Sequence, residues 1–163
     1  MATATTTAKY SNPLIFQADT EETKKQCIDV RIKVFVDEQG YPLETETEDS
    51  YDPECWHWLA TCKQADGTRV PVGTVRLYPY AEGIGKLGRL AVLSDARGLK
   101  LGKKLVEVTV DYCKARGMNA IMLEAQIDKR GFYERLGFVV EKGDEEPYPV
   151  DGTPHLKMWR RSL

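Results

Sequence analysis

A glycine-punctuated basic stretch at residues 97–102, between a strand and a long amphipathic helix, most constrains this fold. Apolar residues at 87–92 predict the strand, and the helix begins within the stretch Arg-Gly-Leu-Lys-Leu-Gly. Exposed N–H groups and the positive end of the helix dipole make such a helix start an anion site. Gly98 and Gly102 would let a pyrophosphate approach the backbone closely. The basic side chains nearby are Arg97, Lys100, Lys103 and Lys104.

Periodicity predicts strands and helices that alternate along the rest of the chain. The strands are expected at residues 14–18, 56–62, 70–78, 87–92, 120–126, 138–141 and 155–160. We expect Asp19 to cap a first helix ending near residue 36 and Asp128 to cap a short later helix. Gly67 is expected in a hairpin turn and Gly117 at the end of the long helix. These elements predict an α/β fold, a mixed sheet with helices on both faces.

Length and composition indicate one compact domain. The chain has 163 residues, of which 42% are apolar and 29% are charged, as is ordinary for a folded domain. We expect a flexible polar tail at residues 1–10 and a single domain at 11–163. The formal net charge of -2 argues against a nucleic-acid partner, because such binding requires a cationic surface.

The spacing of the cysteines and histidines and the length of the apolar runs further restrict the class of protein. Four cysteines are scattered without a CxxC pair and two histidines lie far apart, so we expect free thiols and no metal site. No apolar run approaches the roughly 20 residues of a membrane-spanning helix, and no signal-type leader opens the chain. These features predict a protein of the cytosol or nucleus without a membrane partner.

Four ordered segments carry a resemblance to a known superfamily. The RGxxxG stretch resembles the acyl-CoA-binding motif of the GNAT N-acetyltransferase superfamily, with Lys100 at a usual glycine and Asp95 at a usual Gln or Arg. Residues 126–138 look like that family's fifth strand and fourth helix. Residues 30–57 and 151–158 are similar to the VRxxVFVxEQ…DxxD…H and DGxPHxxM patterns of its ElaA-like and YjcF-like branch.

The resemblance implies a fold and a cofactor. The fold is the GNAT fold, a central, mostly antiparallel twisted sheet whose fourth and fifth strands splay apart. The cofactor is acetyl-CoA, which the motif binds through main-chain amides. We expect the backbone at Lys100 to stay helical, so that its N–H can still bind the cofactor. The residues implied to bind the cofactor are Leu90, Ala91, Val92, Arg97, Gly98, Leu99, Lys100, Leu101, Gly102, Lys103, Gln126, Phe132 and Tyr133.

The resemblance also implies catalytic residues. Tyr133 matches the family's tyrosine that protonates the CoA sulfur, and a phenol holds its proton at neutral pH. From the residues alone, Phe132 and Tyr133 are equally typical of an aromatic core pair. The base that takes a proton from the incoming ammonium stays open among four residues, Glu38, His57, Glu124 and His155. Histidine titrates nearest neutrality, although each of the two histidines could instead be structural.

The acceptor is expected to be a small primary amine. Residues 37–54 hold eight acidic side chains and no lysine or arginine. In the resembling fold this region forms one wall of the acceptor cleft, so it would attract a cationic amine. A solvated acidic loop is the alternative interpretation of most of these carboxylates. The residues expected to bind the acceptor are Glu38, Gln39, Asp49, Asp52, His57, Arg89 and His155.

Acetyl transfer from acetyl-CoA to a primary amine, by direct attack within a ternary complex, is therefore the predicted function of a monomer or homodimer. Two alternatives of other classes stay open. A non-catalytic acetyl-CoA sensor would keep the RGxxxG stretch without needing Tyr133. A dinucleotide-binding domain would need GxGxxG directly after an N-terminal strand, whereas this glycine stretch lies past the midpoint and in another form.

Overall fold

A computed structural model describes residues 8–163, which form one seven-stranded mixed sheet with flanking helices. The strands are β1 (Ser11–Gln17), β2 (Trp56–Lys63), β3 (Arg69–Ala81), β4 (Ile84–Val92), β5 (Ala120–Gln126), β6 (Tyr148–Val150) and β7 (Thr153–Arg161). They lie in the order β1-β2-β3-β4-β5-β7-β6, and every neighbouring pair is antiparallel except β4 and β5. The predicted α/β class with a mixed, mostly antiparallel sheet is confirmed.

The predicted tail at residues 1–10 falls mostly on residues 1–7, which lie outside the described residues. Within the described part, Tyr10 is buried and Lys9 Nζ lies 2.6 Å from the Asp95 carboxylate. The division into a tail and one domain stays a prediction. Within residues 8–163, no helix is both long and apolar enough to cross a lipid bilayer.

The described residues contain the α-helices α1 (Glu21–Arg31), α2 (Glu44–Thr47), α3 (Leu101–Ala115) and α4 (Arg130–Glu134). Thr20, not the predicted Asp19, caps α1, because its Oγ1 accepts the Thr23 N–H at 3.1 Å and Thr23 Oγ1 accepts the Thr20 N–H. α1 continues into the π-helical segment Ile32–Glu38. Asp128 does not cap α4, which has no side-chain cap.

Side chains of β2 alternate between two cores on opposite faces of the sheet. Trp58 and Ala60 belong to the main core, which includes Leu105 of α3. Leu59, which lies between them in sequence, packs with Cys27 of α1 on the other face. The prediction of helices on both faces is therefore confirmed.

The ladder between β4 and β5 ends halfway along both strands. Its last pair is Leu87 opposite Leu123, although β4 continues to Val92 and β5 to Gln126. Beyond this pair the facing backbone edges have no strand partner, which leaves N–H and C=O groups for a ligand apart from the Val92 carbonyl, which accepts from Arg97. The predicted splay between the fourth and fifth strands is confirmed.

β4 carries a bulge where the splay opens. Thr74 and Arg76 of β3 lie opposite Ala91 and Gly88, so two residues of β4 face one residue of β3. Within the bulge Arg89 has a left-handed φ of 52°, which costs a non-glycine residue roughly 1 kcal/mol. Bulges redirect the side chains around them, and this one lies beside the splay.

α3 begins at Leu101, after a 3₁₀ helix at Ser94–Leu99. Lys100, between the two, has a left-handed φ of 57°, so the expectation that its backbone stays helical is wrong. Glycine adopts this conformation without the steric cost that lysine pays, which explains why glycine is usual there in the resembling motif. Gly67 and Gly117 also have positive φ, as their predicted turn and helix-end positions require.

The last part of the chain differs from the prediction. The strand predicted at residues 138–141 is reduced to a single bridge between Val139 and Trp159. Instead, Asp151 and Gly152, both with positive φ, form a tight turn that folds β6 onto the edge of β7. β6 pairs with Thr153–His155, and the 138–141 segment pairs with β7 only at Trp159.

Candidate functional site

Two cavities meet where β4 and β5 diverge. The larger one, lined by Arg97, Gly102 and their neighbours at the start of α3, has a volume of about 390 Å³, and we name it the α3 cavity. The smaller one, which contains His155 in its wall, has a volume of about 140 Å³, and we name it the His155 cavity. Both cavities are lined by Gln39, Leu90, Lys129 and Tyr133. Ligands in the two cavities would therefore meet at this shared wall.

The cavities bring together most of the predicted site residues. The α3 cavity is lined by Glu38, Gln39, Leu90, Ala91, Val92, Arg97, Lys100, Gly102, Lys103, Phe132 and Tyr133. The His155 cavity is lined by Gln39, Arg89, Leu90, Glu124, Gln126, Tyr133 and His155. The predicted residues that line neither cavity are Asp49, Asp52, His57, Gly98, Leu99 and Leu101.

The electrostatics of the α3 cavity suit an anionic ligand. Four cationic side chains line it, Arg97, Lys100, Lys103 and Lys129, against the single carboxylate of Glu38. The N-terminus of α3 adds backbone N–H groups and the positive end of its dipole. Its volume also falls within the range of about 300–1,000 Å³ that is typical of small-molecule sites.

The fold does not require glycine at either end of the RGxxxG stretch. Neither Gly98 nor Gly102 has a positive φ, and a Cβ at Gly98 would meet no atom within 4 Å. A Cβ at Gly102 would lie 3.4 Å from Phe132 Cζ, which is an ordinary van der Waals contact. Because packing leaves room for alanine at Gly102, a ligand that approaches the backbone explains this glycine better than the fold does.

An ion pair crosses the wall of the α3 cavity. The Arg97 guanidinium donates to both carboxylate oxygens of Glu38, at 2.6 and 2.8 Å, and its Nε donates to the Val92 carbonyl at 3.1 Å. Hydrogen bonding from Arg97 holds the pKa of Glu38 below its ordinary value. Glu38 is therefore a poor proton acceptor while this pair is intact.

Tyr133 stands in the shared wall of the two cavities. It lies on α4, and its ring packs edge-on against Phe132 and Phe138, with centroids 5.0 and 5.9 Å away. Burial raises the pKa of its phenol above the ordinary value, because the ionised form would lose its hydration. The phenol therefore stays protonated near neutral pH and can act as a proton donor.

The orientation of His155 leaves one ring nitrogen free to accept a proton. Its Nδ1 lies 2.7 Å from the Thr153 carbonyl oxygen. A carbonyl only accepts hydrogen bonds, so Nδ1 carries the hydrogen, and Nε2 of the neutral ring has an available lone pair. The strand pairing places His155 beside Gln126, another residue of this cavity.

Glu124 is already engaged by two donors. Its carboxylate accepts from the Tyr148 hydroxyl at 2.7 Å and lies 2.5 Å from Lys86 Nζ. Burial raises the pKa of Glu124, but the bonds from Lys86 and Tyr148 outweigh it and hold the pKa below the ordinary value. Like Glu38, this carboxylate is a weak base at neutral pH.

Carboxylates of the acidic stretch form a buried network with three arginines. Arg76 Nη1 lies 2.7 Å from Asp49 and 2.8 Å from Asp52, and Arg31 Nη1 also lies 2.8 Å from Asp52. Arg89 lies 3.1 Å from Asp49 and 3.0 Å from Glu46, which is almost fully buried. The negative charge of these three acids is therefore matched by three guanidinium groups.

The network also contains His57. Its Nε2 lies 2.9 Å from the Asp52 carbonyl, and burial lowers the pKa of the ring below the ordinary value. For Asp49 and Asp52, burial raises the pKa, but the neighbouring arginines outweigh it and the net pKa is lowered. These three predicted residues are joined to one another, away from both cavities.

Sequence reasoning missed several polar residues of this region, among them Lys129, Lys86 and Tyr148. Lys129 lines both cavities, and its place three residues after the end of the fifth strand was the available signal. Lys86 and Tyr148 hold Glu124, and Tyr148 belongs to β6. The Asp151–Gly152 turn was the signal for β6, because Asp-Gly between apolar runs favours a hairpin.

Comparison with known proteins yields three findings. The sequence profile of the "Acetyltransferase (GNAT) family" matches residues 24–138. The uncharacterized N-acetyltransferase YjcF of Bacillus subtilis (strain 168) is 32% identical over 143 residues, which cover 88% of this chain and 96% of that protein. Crystal structures of Escherichia coli ElaA and of an aminoglycoside 6'-N-acetyltransferase complexed with coenzyme A are similar, with TM-scores of 0.72 and 0.66. ElaA is 25% identical to this chain, and the alignment covers 92% of this chain and 99% of ElaA. The aminoglycoside enzyme is 20% identical, and the alignment covers 92% of this chain and 97% of that enzyme.

Proposed function

We propose, from the premise that this chain belongs to the acetyltransferase (GNAT) family, that it transfers an acetyl group from acetyl-CoA to a small primary amine. The predicted resemblance to the ElaA-like and YjcF-like branch is confirmed by the relatives named above. The proposal has three parts: acetyl-CoA is the donor, a primary amine is the acceptor, and the amine attacks directly within a ternary complex. The position of Tyr133 is the observation that carries it.

The α3 cavity fits acetyl-CoA. Arg97, Lys100 and Lys103 would bind its phosphates, and Gly102 leaves the start of α3 open to them. The unpaired edge of β4 at residues 90–92 would orient its pantetheine amides by backbone hydrogen bonds. When bound, acetyl-CoA supplies a thioester whose acetyl carbon an amine can attack. The similar aminoglycoside enzyme complexed with coenzyme A supports this assignment.

Tyr133 would supply a proton to the sulfur of the departing thiolate. Its phenol lines both cavities and keeps its proton, because burial raises its pKa. A proton donor at the wall between donor and acceptor cavities supports the role of a general acid. Transfer from the phenol oxygen leaves a phenolate, which regains a proton from the attacking nitrogen or from solvent. Overall, a neutral amine gives up one proton for each acetyl group that it gains, and an ammonium first releases another proton to the base.

His155 is the best of the four candidate bases. His155 lines the acceptor cavity, and the lone pair of its Nε2 would remove the proton that keeps the amine from attacking. Glu38 and Glu124 are held by cationic partners, and His57 lines neither cavity. Replacing His155 by Gln should lower kcat at neutral pH. The kcat of this variant should partly recover as the pH approaches about 10, because the amine then loses its proton without a base.

The decisive experiment compares Tyr133→Phe with the parent chain, using purified protein, acetyl-CoA, a panel of primary amines and detection of free thiol. We expect kcat to fall by about 10²-fold or more, because general-acid catalysis contributes that much, while coenzyme A affinity stays within about twofold. Tyr112→Phe is the matched control, because it also removes a buried hydroxyl but lies outside both cavities.

Two outcomes would overturn the proposal. An unchanged kcat in Tyr133→Phe would remove the phenol from the mechanism. Coenzyme A binding without thiol release with any amine would instead favour the non-catalytic sensor, which is indifferent to Tyr133. A location in the cytosol or nucleus, a monomeric or homodimeric state and the lack of a nucleic-acid partner stay predictions.

A further inference from the structure

A third cavity adjoins the His155 cavity on the same face of the sheet. It has a volume of about 140 Å³, and we name it the tyrosine cavity. Its wall consists of Tyr51, Tyr78, Tyr80, Arg76, Lys86 and Gly88. Gly88 also lines the His155 cavity, so its backbone belongs to the walls of both cavities.

Strand geometry explains why these side chains share one face. Arg76 and Tyr78 are two residues apart in a regularly paired part of β3, so they point to the same side of the sheet, and Tyr80, at the register shift that follows, lines the same cavity. Lys86 of β4 lies directly opposite Tyr78, and its Nζ reaches Glu124, which belongs to the His155 cavity. The two cavities therefore lie side by side across β4.

The charged groups of the tyrosine cavity are already paired. Arg76 is bound by Asp49 and Asp52, and Lys86 is bound by Glu124. An anionic ligand would have to displace these carboxylates. A second ammonium group would lie next to two cationic side chains, so the cavity suits neither charge.

Aromatic rings are what this cavity offers to a ligand. Tyr51 and Tyr80 are 55% and 47% exposed, although large aromatic side chains usually bury more of their surface. Tyr51 and Tyr78 meet edge to face, with centroids 5.0 Å apart, which leaves ring surface of Tyr51 and Tyr80 open. Another aromatic ring can add to such a cluster in a stacked or edge-on arrangement.

We propose that the tyrosine cavity is a second acceptor subsite, which holds an aromatic ring while the attached primary amine lies in the His155 cavity. The acceptor class is therefore an arylalkylamine. This inference rests on the proposed acetyltransferase function. It adds that the acceptor carries an aromatic group beside the reacting amine.

The test compares kcat/KM for 2-phenylethylamine, n-butylamine and 1,5-diaminopentane in the parent, Tyr51→Ala and Tyr80→Ala. The parent should prefer 2-phenylethylamine to n-butylamine. Each tyrosine variant should lower kcat/KM for 2-phenylethylamine by about three- to tenfold, mainly through KM, as expected for the loss of one aromatic contact. The same variants should change kcat/KM for n-butylamine by less than about twofold.

Phe16→Ala is the matched control, because it removes another exposed aromatic ring, on β1 and outside all three cavities. An equal loss for both monoamines in the tyrosine variants, or a preference for the diamine, would overturn the subsite. Acetylation of n-butylamine reports separately on the chemistry. If no amine releases thiol, the proposed function itself fails, and the subsite fails with it.

Discussion

Replacing Gly102 by alanine should separate what the fold needs from what the ligand needs. Gly102 is the second residue of α3, its φ is not positive, and it lines the α3 cavity. The new methyl group would lie 3.4 Å from Phe132 Cζ, so the side chain fits without displacing a neighbour. The same methyl group would stand where the proposed diphosphate approaches the backbone. We therefore expect a more stable protein that binds coenzyme A less tightly.

The two magnitudes follow from general energetics. Glycine within a helix costs about 0.5–1 kcal/mol relative to alanine, and a domain of this size gains about 2–4 °C in Tm per kcal/mol. Tm should therefore rise by about 1–4 °C. Losing one charge-assisted hydrogen bond from the backbone to a phosphate costs about 1.5–3 kcal/mol, which weakens coenzyme A binding by about tenfold or more.

Thermal unfolding and titration calorimetry with coenzyme A measure the two effects on the same sample. Gly131→Ala is the matched control, because Gly131 lies in α4, lines none of the cavities, and has room for a Cβ at 3.6 Å from Arg135. It should leave coenzyme A affinity unchanged. An unchanged affinity in Gly102→Ala would show that the diphosphate does not approach this residue. A lower Tm would show that the space beside Phe132 is too small.

Three further predictions concern the ion network and the cysteines. The pKa values of Asp49 and Asp52 are lowered in the fold, so these carboxylates stabilise the folded protein above about pH 3.9, and this stabilisation is lost as the pH falls further. The free energy of unfolding measured with urea should therefore decline below about pH 3.9. A free energy that stays constant down to about pH 2 would contradict this prediction. Asp49→Asn should lower that free energy at pH 7 by about 3 kcal/mol, because Arg76 loses a partner, yet leave KM for n-butylamine unchanged. Burial raises the pKa of Cys55 and Cys113 to about 11, so the native protein should react with a thiol-specific disulfide reagent at pH 8 far more slowly than the unfolded chain; equal rates would contradict this.

Local signals explain why the sheet and the α3 cavity could be predicted. α3 presents Leu101 and Leu105 on one buried stripe and is followed by Gly117, and both features are readable within a few residues. The cations of the α3 cavity, apart from Lys129, come from the single stretch at 97–103. A site built from one continuous segment needs no knowledge of tertiary contacts.

Predictions failed where neighbouring residues compete or where backbone conformation decides. Asp19 and Thr20 are both good N-cap residues, and only the reciprocal bonds with Thr23 select Thr20. At Lys100, a lysine side chain gives no sign of a left-handed φ, which the fold imposes between the 3₁₀ helix and α3. A local pattern narrows such choices without deciding them.

The acidic stretch shows what a single sequence cannot supply, which is the partner of each charge. Asp49 is bound by Arg76 and Arg89, and the latter lies 40 residues away along the chain. A count of charges over residues 37–54 predicts attraction for a cation, but an acceptor responds only to charges that lack a partner. The arginines match four of the eight carboxylates, so the pull on an ammonium group comes from the other four, Asp37, Glu44, Glu48 and Glu54. Charge alone cannot distinguish one primary ammonium from another, so selection among amines would also need contacts with the rest of the acceptor, as a tyrosine-lined subsite would provide.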